Sequence, residues 1–362
     1  MEANSKMARK LVTIRKILKI EEIKNSDFLE LVHVGGWQAV VQKGIHKLND
    51  LVLYAEIDSF FPIKEQYEFL RKSSYKVMHD SSEGFRIKSM KLRKVLSQGL
   101  VLSLSDYPDI DFSDTKKDYS DDLGVKLYET LVPENMSGKA IGQFPTHYCP
   151  KTDQERCQNL LDELDEYSKL TWEVTEKLDG CSVTFINKDN EFHICSRNLE
   201  LVPYDNLVQQ KINIKYKIEE QLKQYNLNLA IQGELIGPKI QNNPYELKEK
   251  DYYVFDVYDI NNQRYYTSHE RLLLCKDFNF KHVPLISADT NLKMNDMITE
   301  LNPNESSKVR LLNYLLKCSE GKSELNKNTT REGLVFKSNE LVDGNTKSFK
   351  VISNKYLLRK KK

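Results

Sequence analysis

The sequence lacks several things that would narrow its class at once. No stretch approaches the apolar length of a membrane span, and Met1–Lys10 is polar, without the apolar centre of a secretion signal. The six cysteines are scattered and form no C-x-x-C pair, which argues against a zinc site and against a disulfide framework. A reducing intracellular location, cytoplasmic or nuclear, is therefore expected, with no membrane partner. Bulk charge of one sign is also missing. The formal net charge is +1, so contact with a nucleic acid has to come from local patches. What is present is a chain of 362 residues with 40% hydrophobic and 30% charged residues, enough for real cores and for two domains.

Residues Leu11 to about Leu104 read as short strands and turns. Leu11–Ile14, Ile17–Ile20, Leu29–Val34, Trp37–Val41, Leu51–Ala55, Phe85–Lys88 and Leu100–Leu104 are the candidates, punctuated by Gly35-Gly36 and by Lys47–Asp50. In Leu29–Val34 both faces are apolar, as in a well-buried strand. Several short strands with little helix between them predict a small closed barrel of the five-stranded oligonucleotide-binding type. Within it, Arg86 and Lys88 share a face opposite Phe85 and Ile87, and Lys91 and Arg93 follow. Clustered cations of this kind can track a phosphate backbone, although an isolated charge run is as readily a solvated strand and loop. Asp106–Asp122, with seven aspartates, reads as a solvated loop, and Leu123–Gly142 as a connector broken by Pro133 and Gly138. The expected division is 1–145 and 146–362.

Asp153–Leu170 has helical spacing, with Leu160, Leu161 and Leu164 as its stripe, Asp153 as cap and Arg156 in the first turn. A cation there is disfavoured by the helix dipole and hints at an anionic ligand or at a surface ion pair. A strand, Thr171–Lys177, then runs into Asp179 and Gly180. Cys181–Ile186 and Phe192–Ser196 form a hairpin about Asn187–Asn190, which returns Arg197 toward Lys177. Asn206–Tyr225 reads as a helix, Leu229–Gly237 and Tyr252–Tyr258 as strands, and Ser268–Lys276 and Ser306–Cys318 as helices. Ser319–Thr330 is polar and expected to be mobile. Arg331–Lys337 and Ser348–Ser353 close the set, and Arg359–Lys362 is a basic tail, expected to be solvated.

Lys-x-Asp-Gly is a weak pattern alone. Its successors in order are Ser196-Arg197-Asn198, Gly233-Glu234, Tyr253-Val-Phe255-Asp256, Glu332-Gly333 and Phe349-Lys350. This series resembles the ordered motifs of covalent nucleotidyltransferases: DNA and RNA ligases and mRNA capping enzymes. The barrel-like segment comes first here. That order, with Gly36–Lys43, Glu56–Ser59, Gly84–Lys88 and Pro150–Arg156, resembles the RNA ligases of the Deinococcus and Naegleria type, which join 3′-OH and 5′-phosphate ends. The expected fold is α+β, an oligonucleotide-binding (OB) barrel followed by an adenylation domain of antiparallel sheets with flanking helices. The expected activity is ATP-dependent RNA sealing, at nicked duplex or paired ends, by a monomer. DNA joining, capping-type transfer and an inactive nucleic-acid-binding relative are the alternatives.

The resemblance implies roles. Lys177 is the nucleophile that takes AMP and must lose its proton, through burial, a nearby cation or a metal. Lys350 sits on the α-phosphate. Glu234 and Glu332 suit Mg²⁺ or Mn²⁺, and Glu234 alternatively the ribose. Phe255 stacks on adenine, although a plain core phenylalanine has the same pattern. Glu176, Arg156 and Arg197 belong to the ATP or AMP site, and Asp179 shapes the turn and helps hold metal-bound water. Some RNA ligases carry a second lysine near the last motif. Ser348 and Ile352 occupy those positions here, leaving Lys347 or Lys355 as substitutes.

Overall fold

The computed structural model describes residues 9–78, 80–128, 140–204, 207–292, 305–342 and 345–359. Pro133, Gly138, Asn206 and Lys360–Lys362, named above, lie outside them. The chain forms two compact units, Met1–Glu134 and Asn135–Lys362.

In the first unit, one five-stranded antiparallel sheet runs in the order Leu100–Ser103, Leu51–Ala55, Val12–Glu22, Leu29–Val34, Trp37–Gln42. The two short strands expected at Leu11–Ile14 and Ile17–Ile20 are one long strand, bulged between Ile17 and Lys19, and this bend lets it pair with neighbours on both sides. Gln98 donates its backbone N–H to the Gln38 carbonyl at 2.8 Å, and Val40 N–H donates to Ser97 Oγ at 3.0 Å. These bonds return the last edge to the first and close a barrel. Val32, Val34, Trp37 and Tyr54 fill one side of the wall, and Val12, Leu53, Phe61 and Phe85 the other. Strands buried on both faces explain the unbroken apolar runs.

Asp106–Asp122 is exposed along most of its length, as expected, but it is anchored to the barrel. Tyr107 and Tyr119 are buried in the barrel-side core with Phe112 against them, and the Asp118 carboxylate accepts the Leu11 and Val12 amides, each at 3.0 Å. A few aromatics supply the buried surface that the aspartate count obscures.

Among the described residues the second unit holds two sheets. The seven-stranded sheet runs Ala140–Gln143, Leu199–Leu201, Glu191–Ser196, Cys181–Lys188, Leu229–Ile236, Asp251–Asp259, Arg264–Tyr265. The five-stranded sheet runs Glu155–Arg156, Asn345–Ile352, Gly333–Val342, Thr171–Lys177, Leu285–Asn291. Helices Val208–Tyr216, Ile218–Gln224 and Ser268–Asp277 cover the first, and Ser307–Ser319 buries Leu311, Leu312 and Leu315 against the second. Thr267 and Glu270 form a reciprocal capping box that starts the helix at Ser268.

Three expectations change here. Asp153–Leu170 is not a helix: Glu155–Arg156 is extended and pairs in parallel with Phe349 and Lys350, leaving one 3₁₀ turn and the short helix Leu164–Tyr167. Arg156 therefore sits on an extended strand and not in the first turn of a helix. The helix expected over Asn206–Tyr225 is two, broken at Lys217 (φ 50°), where Asn213 Oδ1 caps the second by accepting from Glu219 N–H at 2.9 Å. Finally, Ser319–Thr330 is pinned rather than loose. Ser319 and Ser323 are fully buried, and Asn326 donates to the Pro244 carbonyl at 3.1 Å.

Candidate active site

Lys177 ends its strand in register with Gly333, the residue after Glu332. A Cβ at Gly333 would lie 2.1 Å from the Val351 carbonyl oxygen, and one at Gly180 would lie 2.4 Å from that of Leu235. Only glycine lets the backbones approach so closely, which is the physical content of both Gly motifs. The turn after Lys177 thus lies directly against the strand Leu229–Ile236 that ends beyond Glu234.

Lys177 Nζ donates to Glu332 Oε1 at 2.7 Å. Burial opposes its charge, but Glu332, Glu234 and Asp179 outweigh burial and hold its proton more tightly than in a free lysine. The expected lowering is thus absent, because these acidic neighbours outweigh burial at Lys177. Glu234 pays for this crowding: burial first, then its acidic neighbours, push it up to about 8. Burial also raises Glu332.

Lys350 is the cation whose proton is loosened. Burial, then Lys177 and Arg156, lower it to about 8 against the pull of Asp153. Asp153 bridges two cations, accepting from Lys350 Nζ through Oδ1 at 3.2 Å and from Arg197 Nη2 through Oδ2 at 2.9 Å. Although burial works against its charge, Lys350 and Arg197 hold the Asp153 carboxyl down at about 2. Arg156 stands beside Lys350 in the parallel pair. Lys355 lies 3.8 Å from Glu320, and Lys347, three residues before Lys350 on an extended strand, faces the opposite side.

Phe255 is half-buried at a bulge. Gln232 pairs with Asp256 and Gly233 with Val254, so Phe255 has no cross-strand partner. A bulge re-aims a side chain out of the regular pleat. Buried Lys337 reaches across from the other sheet, donating to the Phe255 carbonyl and to Asp256 Oδ1, the latter at 2.7 Å. Burial lowers the Lys337 proton affinity below the ordinary lysine range. Behind it, buried Arg271 donates to both oxygens of Glu173 and, through Nε, to His282 Nε2 at 3.0 Å. Glu176 faces away from Lys177 by strand alternation, and its Oε2 accepts the Glu324 amide at 2.7 Å.

The structure therefore brings together Lys177, Asp179, Glu234, Glu332, Lys350, Arg156 and Arg197, and sets Phe255 on the adjoining strand. Sequence reasoning missed Asp153 as a bridge, Tyr245, whose hydroxyl accepts the Asp179 amide at 2.5 Å, and Lys337. A lone lysine between Phe336 and Ser338 in a buried strand was the available signal for the last. Among the described residues no three His, Cys, Asp or Glu side chains converge as a metal cage. The Glu332 and Glu234 carboxyl groups beside Lys177 nonetheless fit a hard divalent cation that keeps most of its waters.

In the first unit, Arg86 donates to Asp58 Oδ1 at 2.7 and 3.0 Å and lies 4.4 Å over the Tyr128 ring. Lys88, Lys91 and Arg93 are exposed. Arg93 and Lys94 form the tip of a hairpin with positive φ of 48° and 71°.

A closed barrel followed by a two-sheet unit, with a strand-end lysine among carboxylates and a second lysine in the same sheet, is the architecture of a nucleotidyltransferase-type ligase. Comparison narrows this. Residues 170–352 match the RNA ligase family model, and residues 11–104 match an OB-fold domain model. A mutant of Naegleria gruberi RNA ligase with AMP and Mn is 38% identical over 96% of this chain and 98% of that one, with a TM-score of 0.82. The Naegleria gruberi enzyme with PPi is 39% identical over 97% and 98%, with a TM-score of 0.81. An uncharacterized protein of Methanocaldococcus jannaschii is 26% identical over 140 residues, 36% of this chain, and the match spans 34% of that relative. The chain belongs to the RNA ligase family. Among the described residues no helix is long and apolar enough to cross a membrane.

Proposed function

We propose that this RNA ligase uses ATP and Mg²⁺ or Mn²⁺ to join a 3′-OH to a 5′-phosphate in RNA, at nicks or paired ends, through a lysyl-AMP on Lys177. The single observation that carries this reading is the placement of Lys177 Nζ 2.7 Å from Glu332, with Glu234 and Asp179 near it and Lys350 two strands away in the same sheet. Similar solved structures of the Naegleria enzyme hold AMP, ATP, Mn or PPi, which supports the choice of nucleotide and metal.

The Lys177 amine attacks the α-phosphorus, a P–N bond forms, and the bond to pyrophosphate breaks. A divalent ion held through Glu332 and Glu234 would supply positive charge at the phosphate oxygens. Its arrival would also offset the carboxylates that keep Lys177 protonated. Lys350 neutralises charge on the α-phosphate. Arg156 and Arg197 flank Lys350, where they suit the leaving phosphates, the ribose or the RNA 5′-phosphate. Phe255, presented by its bulge, stacks on adenine. Asp179 shapes the turn. Glu176 acts from behind, by holding the segment at Glu324 against the nucleophile strand. An RNA 5′-phosphate oxygen then displaces Lys177 from phosphorus, and a 3′-OH displaces AMP to seal the strand. Lys88, Lys91 and Arg93, with Arg86 partly committed to Asp58, are assigned to the RNA backbone.

The test is sealing of a 5′-labelled nicked duplex, with RNA or DNA varied on each side of the nick. Joining that requires RNA on the 3′-OH side supports the proposal. Equal joining of all-DNA nicks would contradict it.

A further inference from the structure

Asp179 is fastened from a direction that the reading of the basic tail did not anticipate. The strand carrying Lys350 ends at Ile352, and Ser353, fully buried, donates its backbone N–H to the Glu332 carbonyl at 2.9 Å. Ser353 Oγ then accepts from Tyr356 N–H at 3.1 Å and starts the short helix Asn354–Leu358. From this base two side chains converge on one oxygen. Tyr356 Oη donates to Asp179 Oδ2 at 2.6 Å, and Arg359 Nη2 donates to the same atom at 2.6 Å. The Arg359 guanidinium lies 3.7 Å over the Tyr356 ring, so each donor also orients the other. The Asp179 side chain is 11% exposed in this pair.

On its backbone side the same residue donates N–H to Tyr245 Oη at 2.5 Å, and Gln241 Nε2 donates to the Gly180 carbonyl at 3.4 Å. The turn is therefore gripped through its main chain by the segment Gln241–Tyr245 and through its carboxylate by Tyr356 and Arg359. Charge-assisted bonds to a shielded carboxylate are the strong ones. A clip needed only to tie down the chain after Ile352 would have no reason to end on the residue two positions past the nucleophile.

We propose that Tyr356 and Arg359 are positioning residues for adenylylation: by holding the Asp179 carboxylate they fix the direction in which Lys177 leaves its strand. The proposal rests on the reading of Lys177 as nucleophile. Neither residue is assigned to the base or to the phosphates, so their loss acts on the rate of the chemical step and leaves apparent ATP affinity nearly unchanged. A misplacement of about 1 Å is enough to cost on the order of a hundredfold in rate.

The experiment uses the full chain with Tyr356→Phe, Arg359→Ala, Arg359→Lys and each of the first two combined with Asp179→Asn. Formation of AMP-Lys177 is followed by intact mass against ATP concentration, and amide hydrogen exchange of the 177–181 segment is measured without nucleotide or metal. The expected result is a fall in the maximal rate of tenfold or more for Tyr356→Phe and Arg359→Ala, a KM for ATP within about twofold of wild type, and partial rescue by Arg359→Lys. In the Asp179→Asn background the same changes add little further loss, and exchange of the 177–181 amides rises in the single variants. Wild-type rates and unchanged exchange in both single variants, with AMP still carried on Lys177, would overturn this proposal alone. A loss of equal size in the Asp179→Asn background would also overturn it. Wild-type protein that carries no AMP on Lys177 would overturn the nucleophile reading and the proposal with it.

Discussion

The contact between Lys337 and Asp256 allows a worked prediction. Lys337→Met keeps the buried stem and removes the ammonium that donates to Asp256 Oδ1 at 2.7 Å and to the Phe255 carbonyl. Breaking a buried pair by deleting one partner costs about 3–5 kcal/mol, because the other charge is left uncompensated. Asp256 still has Arg271 Nη1 at 3.9 Å, so the lower end, about 3 kcal/mol, applies. In a unit of this size each kcal/mol moves Tm by about 2–4 °C, which gives a drop of about 6–12 °C. Asp256→Asn added to Lys337→Met removes the orphaned charge, so the double variant regains about 1 kcal/mol or more relative to the sum of the singles. Because the Phe255 carbonyl loses its donor, the bulge relaxes and KM for ATP rises in Lys337→Met. Thermal melts, urea titrations and initial rates of lysyl-AMP formation measure all three. A Lys337→Met protein that melts within about 2 °C of wild type with unchanged KM would refute the reasoning.

Two further predictions concern charge. Asp153 bonds to Lys350 and Arg197, the two cations proposed to meet phosphate, and both Asp153 and Arg197 are more than half exposed. Exposed pairs are worth about 0.2–1 kcal/mol each, so losing both in Asp153→Asn should lower KM for ATP by about two- to thirtyfold, with pyrophosphate titration as the check. A raised KM would instead mean that Asp153 orients the two cations. The second is a pH dependence. His282 donates Nδ1–H to the Val283 carbonyl at 2.6 Å and accepts from Arg271 at Nε2, so it is folded neutral. Burial first, then Arg271, depress it to about 4, below the ordinary value of about 6.5. The unfolded chain thus binds this proton first. The stability is fully present above about pH 6.5 and is lost as pH falls toward 4, with a shallower slope in His282→Asn, read from urea midpoints at pH 7.5, 6 and 5.

Much of the strand pattern was legible because each strand carries its own alternation or apolar run. Leu29–Val34 and Leu51–Ala55 end where the sequence places them. The two-residue turn at Asp189-Asn190, with φ of 51° and 67°, fits the hairpin signal there. The ordered motifs likewise bring Lys177 and Lys350 into one sheet, with Glu332 just ahead of the strand between them, and Glu234 and Phe255 into the other. What failed depends on distant partners. Leu160, Leu161 and Leu164 have helical spacing, but Glu155–Arg156 gains more by pairing with Phe349–Lys350, some two hundred residues later in the chain, and periodicity carries no record of that. The tail looked solvated because its composition is basic. Arg359 instead closes on Asp179, and nothing local to either residue announces the contact. The electrostatics at Lys177 were likewise hidden: nothing in the motif says that Glu332, Glu234 and Asp179 outweigh burial there.

The most direct test is whether AMP carried by Lys177 is passed on as RNA is sealed. Protein loaded with α-labelled ATP and Mg²⁺, freed of nucleotide and metal, is mixed with a nicked duplex bearing a 3′-OH and a 5′-phosphate, with Mg²⁺ restored and no ATP. The prediction is that label mapped to Lys177 leaves the protein and appears as AMP in step with sealed strand, one for one. Label that maps to another residue, or that stays on Lys177 while strands are sealed, would contradict it.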